Sequence, residues 1–147
     1  LKDPGLLNGY LAGDLNPKAV DLMRSNIARW TKKTTVPHQP AMVVCEDART
    51  WKDDPELRGK ADVVLVNLPH DSFEHLPDLF PIFRQHGEGL LRGWAIIERT
   101  ALSSRAQQLE ALVLAAGGTP SKTVISEIKD FSTTRIKVVF QTRIAWD

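Results

Sequence analysis

The run Asp62-Val-Val-Leu-Val-Asn67-Leu-Pro69-His70 constrains the fold more than any other stretch of the chain. Four consecutive apolar residues, Val63 to Val66, are mostly β-branched and bounded by charge on one side, the pattern of a strand covered on both faces. Pro69 has no backbone N–H to give a ladder, so the strand ends before it. Strands of this kind belong to parallel sheets, and parallel neighbours need helical crossovers between them. An asparagine at the carboxyl end of such a strand opens into the crevice where open α/β sheets bind ligands. Asn67 is therefore a candidate functional residue.

The flanking sequence alternates accordingly. Gly9 to Gly13 reads as a short strand ending at Asp14. Asn16-Pro17 is a helix start with Asn16 as the cap, and Ala19, Val20, Met23, Ile27 and Trp30 follow at helical spacing. Thr31 to Pro40 reads as a polar loop, and Ala41 to Cys45 as a strand closed by Glu46-Asp47. Asp54 to Leu57 is a helical turn. From Ser72 to Gln85 the apolar positions predict one or two short helices interrupted at Pro77 and Pro81, and Leu90 to Ile97 predicts a strand. Ser103 to Ala116 is the clearest helix, with Ser103 and Ser104 as its caps and Gly117-Gly118 as its stop. Thr123 to Ile128 and Arg135 to Ile144 alternate with period two around Lys129 to Thr134, which predicts an antiparallel hairpin at one edge.

A chain of 147 residues, 42% hydrophobic, is of a size for one α/β domain with a real core. Net charge of +1 gives no general push toward nucleic acid, although Arg29, Lys32 and Lys33 form a local cluster. The single cysteine, Cys45, excludes an internal disulfide and fits a reducing compartment. No apolar run approaches the roughly 18 residues of a membrane span, so no membrane partner is expected. His38, His70, His75 and His86 lack the spacing of a metal site, and no metal is expected. No Gly-x-Ser-x-Gly, P-loop or Gly-x-Gly-x-x-Gly occurs, which argues against hydrolase, ATPase and complete dinucleotide readings. Leu1 to Leu7 reads as a stub, and the chain as a fragment of something longer.

Two acids stand at strand ends. Asp14 occupies the position from which an acid accepts hydrogen bonds from ribose hydroxyls, and Asp47, at the tip of the next strand, is placed to accept from an adenine amine with Ala48 packing the base. Ordinary loop and helix-start roles account for such acids too. Asn67 offers an amide oxygen and an amide nitrogen together, able to orient a planar base by its edge without adding charge. Capping the next turn is its alternative role.

Tyr10-Leu-Ala-Gly-Asp14-Leu-Asn16-Pro17, Ser25-Asn26-Ile27, Glu46-Asp47-Ala48-Arg49 and Val66-Asn67-Leu68-Pro69 follow one another in an order and spacing that resembles a known family. It is that of the tRNA guanine-N1 methyltransferases acting at position 37, with their wybutosine-synthesising relatives. The similarity runs from about Tyr10 to Leu79, and more loosely through Glu127-Ile-Lys-Asp-Phe131 to Arg143-Ile144. The resemblance implies a Rossmann-like class I methyltransferase sheet, α/β, with a C-terminal antiparallel hairpin. It implies S-adenosylmethionine as cofactor, held by Asp14 and Leu15 at the ribose, by Asp47 and Ala48 at the adenine, and by Asn67. It places Asn67 beside the target guanine as the catalytic group and Pro69 against the substrate, with tRNA as partner.

Against the family pattern, nothing before Tyr10 supplies the glycine-rich first strand and loop that cradle the methionine end of the cofactor. The family's arginine and general-base carboxylate lie in that part as well. The expected sheet is incomplete, with a central strand to be filled by an upstream segment or a second chain, and this piece alone is expected to be inactive. The rival reading is a methyltransferase-like module without catalysis, serving as an RNA-binding or scaffolding subunit, with Trp30, Trp51, Trp94 and Trp146 as interface anchors or core. A methyltransferase acting on adenine or cytosine is a third reading, but such enzymes usually carry an aromatic where His70 stands. A cytoplasmic location, or else a mitochondrial one, is the expectation.

Overall fold

The computed structural model describes residues 8–31 and 41–147. The expectations for Leu1 to Leu7 and for most of the Thr31 to Pro40 loop lie outside the described residues, as does the side chain of Trp30. Contacts divide the chain into two compact units, Leu1–Thr50 and Trp51–Asp147.

The first unit holds a parallel pair, β1 (Tyr10–Gly13) and β2 (Ala41–Val44), with Tyr10 opposite Ala41 and Gly13 opposite Val44. Helix α1 (Pro17–Thr31) links them. It starts where the sequence says it should: Asn16 Oδ1 accepts the N–H of Lys18 at 3.0 Å, and Pro17 takes the first helical position, where its missing N–H costs nothing. Val20 is buried, and Ala19, Met23 and Ile27 on the same helical stripe are half-buried. Arg24 Nη2 donates to Val43 O at 3.3 Å, tying helix to strand.

The second unit is a four-stranded sheet of order β3-β4-β6-β5, with β3 (Val63–Val66) parallel to β4 (Gly87–Glu98) and β6 (Arg135–Trp146) antiparallel to both β4 and β5 (Gly118–Asp130). Helix α2 (Ser72–Leu79) makes the crossover from β3 to β4, and α3 (Leu102–Ala115) leads from β4 to β5. One face of the sheet carries the core. Val64, Val66, Leu91, Ala95, Ile97, Ile136, Val138, Phe140, Ile144 and Trp146 are buried there, as are Phe73, Leu76 and Leu79 of α2 and Leu109 and Val113 of α3. Phe73 meets Phe140 with ring centroids 5.1 Å apart, and Phe83 meets Trp146 at 5.7 Å. Such aromatics contribute about 1.5–3 kcal/mol each on burial. Trp146 is thus core, as one of the two tryptophan readings had it.

Several expectations are corrected here. β3 is covered on one face only: Val64 and Val66 are buried, while Val63 and Leu65 are 52% and 64% exposed. Pro77 does not interrupt α2. It sits in the last turn and the helix tightens into a 3-10 turn at Phe80–Ile82, so the lost N–H costs little. Ser103 and Ser104 do not cap α3. A 3-10 turn at Arg99–Ala101 leads in, Ala101 is the cap, and Ser104 Oγ donates back to Ala101 O at 3.0 Å. β5 begins at Gly118 and runs through Lys129 and Asp130, because pairing with β6 recruits polar residues that show no strand period. The 3-10 turn Ala48–Asp53 was not foreseen. The turn at Asp54 is present, with Arg58 N donating to Asp54 O at 2.9 Å. Lys52 Nζ, 2.6 Å from Asp78 Oδ1, ties this region to α2, and Asp78 holds the ammonium above the usual lysine range.

Candidate active site

The carboxyl ends of the two parallel pairs carry the residues singled out from the sequence. Asp14 and Leu15 follow β1, and Asp47 and Ala48 follow β2 after Cys45 and Glu46. Both loops belong to the first unit and they touch: Cys45 Sγ donates to Leu15 O at 3.6 Å. Asn67, directly after β3, and Pro69 belong to the second unit, at the carboxyl end of the β3/β4 pair.

Asp14 is partly occupied by its own loop. Its Oδ1 accepts the N–H of Asn16 at 2.8 Å, and its own N–H donates to Val44 O at 3.3 Å, so the carboxylate is held in one orientation. Leu15, beside it, is 66% exposed, a bare apolar surface next to an acid. Asp47 is more fully engaged. Its Oδ1 accepts the N–H and Nε of Arg49, both at 3.0 Å, and Oδ2 accepts Nε at 2.9 Å, while Asp47 O accepts Thr50 N at 2.9 Å. The loop role and the forked arginine pair both use Asp47. Arg49 was not foreseen as the partner of Asp47; the two-residue spacing Asp-Ala-Arg was the available signal.

The Asn67 loop is fixed by its backbone while its side chain is left open. Ile96 N donates to Pro69 O at 2.7 Å, and the hydroxyl of buried Ser72 lies 2.7 Å from both Leu68 O and Trp94 O, sharing its proton between them. Asp71 N donates to Leu68 O at 3.0 Å. Asn67 itself is exposed, and its amide has no hydrogen-bond partner among the described residues. A pinned loop presenting an unused amide is a preorganised hydrogen-bonding edge. Ser72 is the positioning residue that sequence reasoning missed.

The tip of the β5/β6 hairpin comes to the same end of the sheet, since β6 starts opposite the last residues of β4, Arg135 facing Glu98. Arg99 pairs with Glu127 at 3.2 Å and with Asp130, and its N–H donates to Thr134 O at 2.9 Å. Phe131 of the tip lies 6.1 Å from His70, centroid to centroid, with ring planes 75° apart. A hollow of about 160 Å³ lined by Arg92, Val124, Val139, Phe140 and Gln141 is elsewhere on the sheet and smaller than the roughly 300 Å³ at which small-molecule sites begin. Among the described residues no cluster of three or more His, Cys, Asp or Glu could hold a metal ion, and no helix is long and apolar enough to cross a membrane.

No family model matches the chain, and no curated protein matches it. Solved structures do. M. jannaschii TYW2 in complex with AdoMet superposes with a TM-score of 0.72 at 17% identity, over 93% of this chain and 57% of that one. M. jannaschii tRNA m1G37 methyltransferase gives 0.68 at 17% identity, over 93% and 36% of the two chains. The aTrm5 protein, in its complex with tRNALeu, gives 0.67 at 16% identity over 95% and 36%. The chain thus spans between about a third and three fifths of the structures it matches. Likeness at these identities concerns the fold, and the chain has the Rossmann-like α/β fold of class I S-adenosylmethionine-dependent methyltransferases.

Proposed function

We propose that this chain is part of the catalytic domain of an S-adenosylmethionine-dependent tRNA methyltransferase that methylates N1 of guanine 37. The observation that carries the proposal is the unpartnered amide of Asn67 on a backbone-pinned loop at the carboxyl end of β3, in a fold shared with TYW2 and Trm5 structures. The residues of the first unit suit the adenosine part of the cofactor. Asp14 keeps Oδ2 for ribose hydroxyls, and exposed Leu15 supplies an apolar contact. Asp47 suits an adenine amine once Arg49 gives way, and Ala48 is small enough to let a base approach.

When bound, S-adenosylmethionine supplies an electrophilic methyl group on a sulfonium. Asn67 works on the nucleophile. Guanine N1 carries a proton and is a poor nucleophile, and as that proton passes to a general base carried elsewhere in the full-length protein, negative charge builds on O6. Asn67 Nδ2 donates to O6 and so binds the deprotonated base better than the neutral one, while leaving the N1 lone pair open to the methyl group. Pro69 borders the base and closes the loop without a competing N–H. A neutral amide suits this task because a carboxylate at the same place would repel the developing charge on O6.

The test is methyl transfer from labelled S-adenosylmethionine to tRNA transcripts by the full-length protein, with digestion to nucleosides. N1-methylguanosine from a transcript with guanine at position 37, and none when adenine replaces it, is the expected result. Methylation of another nucleotide, or none at all, would overturn it. The second reading, a non-catalytic RNA-binding module, draws support from the hold of Arg49 on Asp47. Absence of cofactor binding together with retained tRNA binding would favour it.

A further inference from the structure

The hairpin tip offers a surface that the proposed function has not used. Phe131 stands in the polar turn between β5 and β6, outside the core, and it is 51% exposed. Its position is nevertheless held firmly: Phe131 N and Ser132 N both donate to Arg135 O at 3.0 Å, Arg135 N donates to Ser132 Oγ at 3.1 Å, and Arg99 N donates to Thr134 O at 2.9 Å. Arg99, paired with Glu127 and Asp130, ties the tip to the end of β4. Its only described ring neighbour is His70, three residues after Asn67, at 75° to its plane. The two rings form a corner rather than a closed stack, and Phe131 keeps an open surface at the end of the sheet where Asn67 presents its amide.

A second observation lies two residues away. Lys129 and Lys137 face each other across the β5/β6 ladder, and neither has an ion pair among the described residues. Like charges directly opposite are unfavourable, and an anion against them removes the penalty. Rigid exposed aromatic, open lysines and an amide edge at one end of a sheet are the parts of a single-stranded nucleic-acid site: a face to stack on, cations for the phosphate, an edge reader.

The geometry points to Phe131 as the stacking surface for a nucleobase splayed out of an RNA loop, with Lys129 and Lys137 holding the phosphate beside it. The inference rests on the reading of the chain as part of an RNA methyltransferase and names the residues that grip the RNA. The probe is a short anticodon stem-loop RNA with 2-aminopurine at the place of the guanine 3′ to the anticodon, titrated into the full-length protein while fluorescence is followed. Wild type quenches the probe on binding. Phe131→Ala weakens binding about tenfold, the loss of one base–aromatic stack, and abolishes most of the quench, while Phe131→Trp retains both. Phe131→Leu behaves as Phe131→Ala, because leucine fills space without a π face.

Unchanged affinity and quench in Phe131→Ala, or full retention in Phe131→Leu, would overturn the inference and leave the proposed function standing. Failure of wild type to bind the probe would overturn the inference alone, since 2-aminopurine lacks the O6 of guanine and the proposed function is read separately from N1-methylguanosine formation on the guanine transcript. Calorimetric titration with S-adenosylhomocysteine is run on the same proteins, and Phe131→Ala is expected to match wild type there. Loss of cofactor binding in that variant would show a structural role for the ring and would contradict the inference.

Discussion

Asn67 and Asp47 stand at equivalent strand ends yet are used differently. Asn67 is exposed with its amide unspent, whereas Asp47 is gripped by Arg49 through its backbone N–H and guanidinium. Asn67→Ala should therefore leave S-adenosylhomocysteine affinity nearly intact and reduce methyl transfer to guanine about 10²-fold, the scale of one oxyanion-type donor. Calorimetry and labelled transfer read the two quantities separately, and equal loss of both would sink the assigned role. Arg49→Ala should raise cofactor affinity severalfold by freeing Asp47, at little cost in stability, because its guanidinium is half-exposed and such pairs contribute about 0–1 kcal/mol. A fall in affinity would mean that Arg49 presents Asp47 rather than occupies it. The places of Asp14, Asp47 and Asn67 after strand ends could be read from the sequence because each follows a short apolar run. Ser72, Arg49 and Phe131 could not, since their roles depend on which chain segment folds back against them.

At the scale of elements, the β3–α2 corner is what holds the Asn67 loop, and one hydroxyl does much of it. Ser72→Ala removes the donor shared by Leu68 O and Trp94 O and should cost about 1–3 kcal/mol in chemical denaturation. A change within about 0.5 kcal/mol would mean that water takes over both carbonyls. Gly93 matters for a different reason. A Cβ there would lie 2.3 Å from Phe140 Cζ and 2.8 Å from Val66 O, so Gly93→Ala must push apart β3 and the aromatic core. It should destabilise by about 1–3 kcal/mol, read from the midpoint of a urea transition, and a neutral effect would mean that Phe140 swings aside freely. The succession of strands and helices could be anticipated from alternating periods, but the ends of elements could not. β5 gained Gly118 to Lys122 through pairing with β6, including a bulge where Lys122 takes a φ of 52°. α3 stops where expected: Gly117, at φ 86°, takes the left-handed position that ends the helix.

For the molecule as a whole, the two units differ in how much structure backs each strand. β4 and β6 pair along 12 residues and are buried on one face, whereas β1 and β2 pair along 4. Amide exchange should accordingly be slowest in β4 and β6 and faster by orders of magnitude in β1 and β2. Uniform protection across both sheets would contradict that ordering. The sequence pattern carried the α/β class and the hairpin, since both rest on periodicity. It could not carry the one-sided covering of β3, because four apolar residues in a row look alike whether one face is covered or two. Val63 and Leu65 are the residues that show the difference.

The account stands or falls on the cofactor. Calorimetric titration of the full-length protein with S-adenosylhomocysteine, beside its Asp14→Ala variant, addresses it directly. A single saturable site in wild type that weakens at least tenfold in Asp14→Ala is the result expected from a carboxylate bonded to ribose hydroxyls. No binding by wild type would contradict the assignment of this fold to methyl transfer, and binding that ignores Asp14 would contradict its place at the ribose.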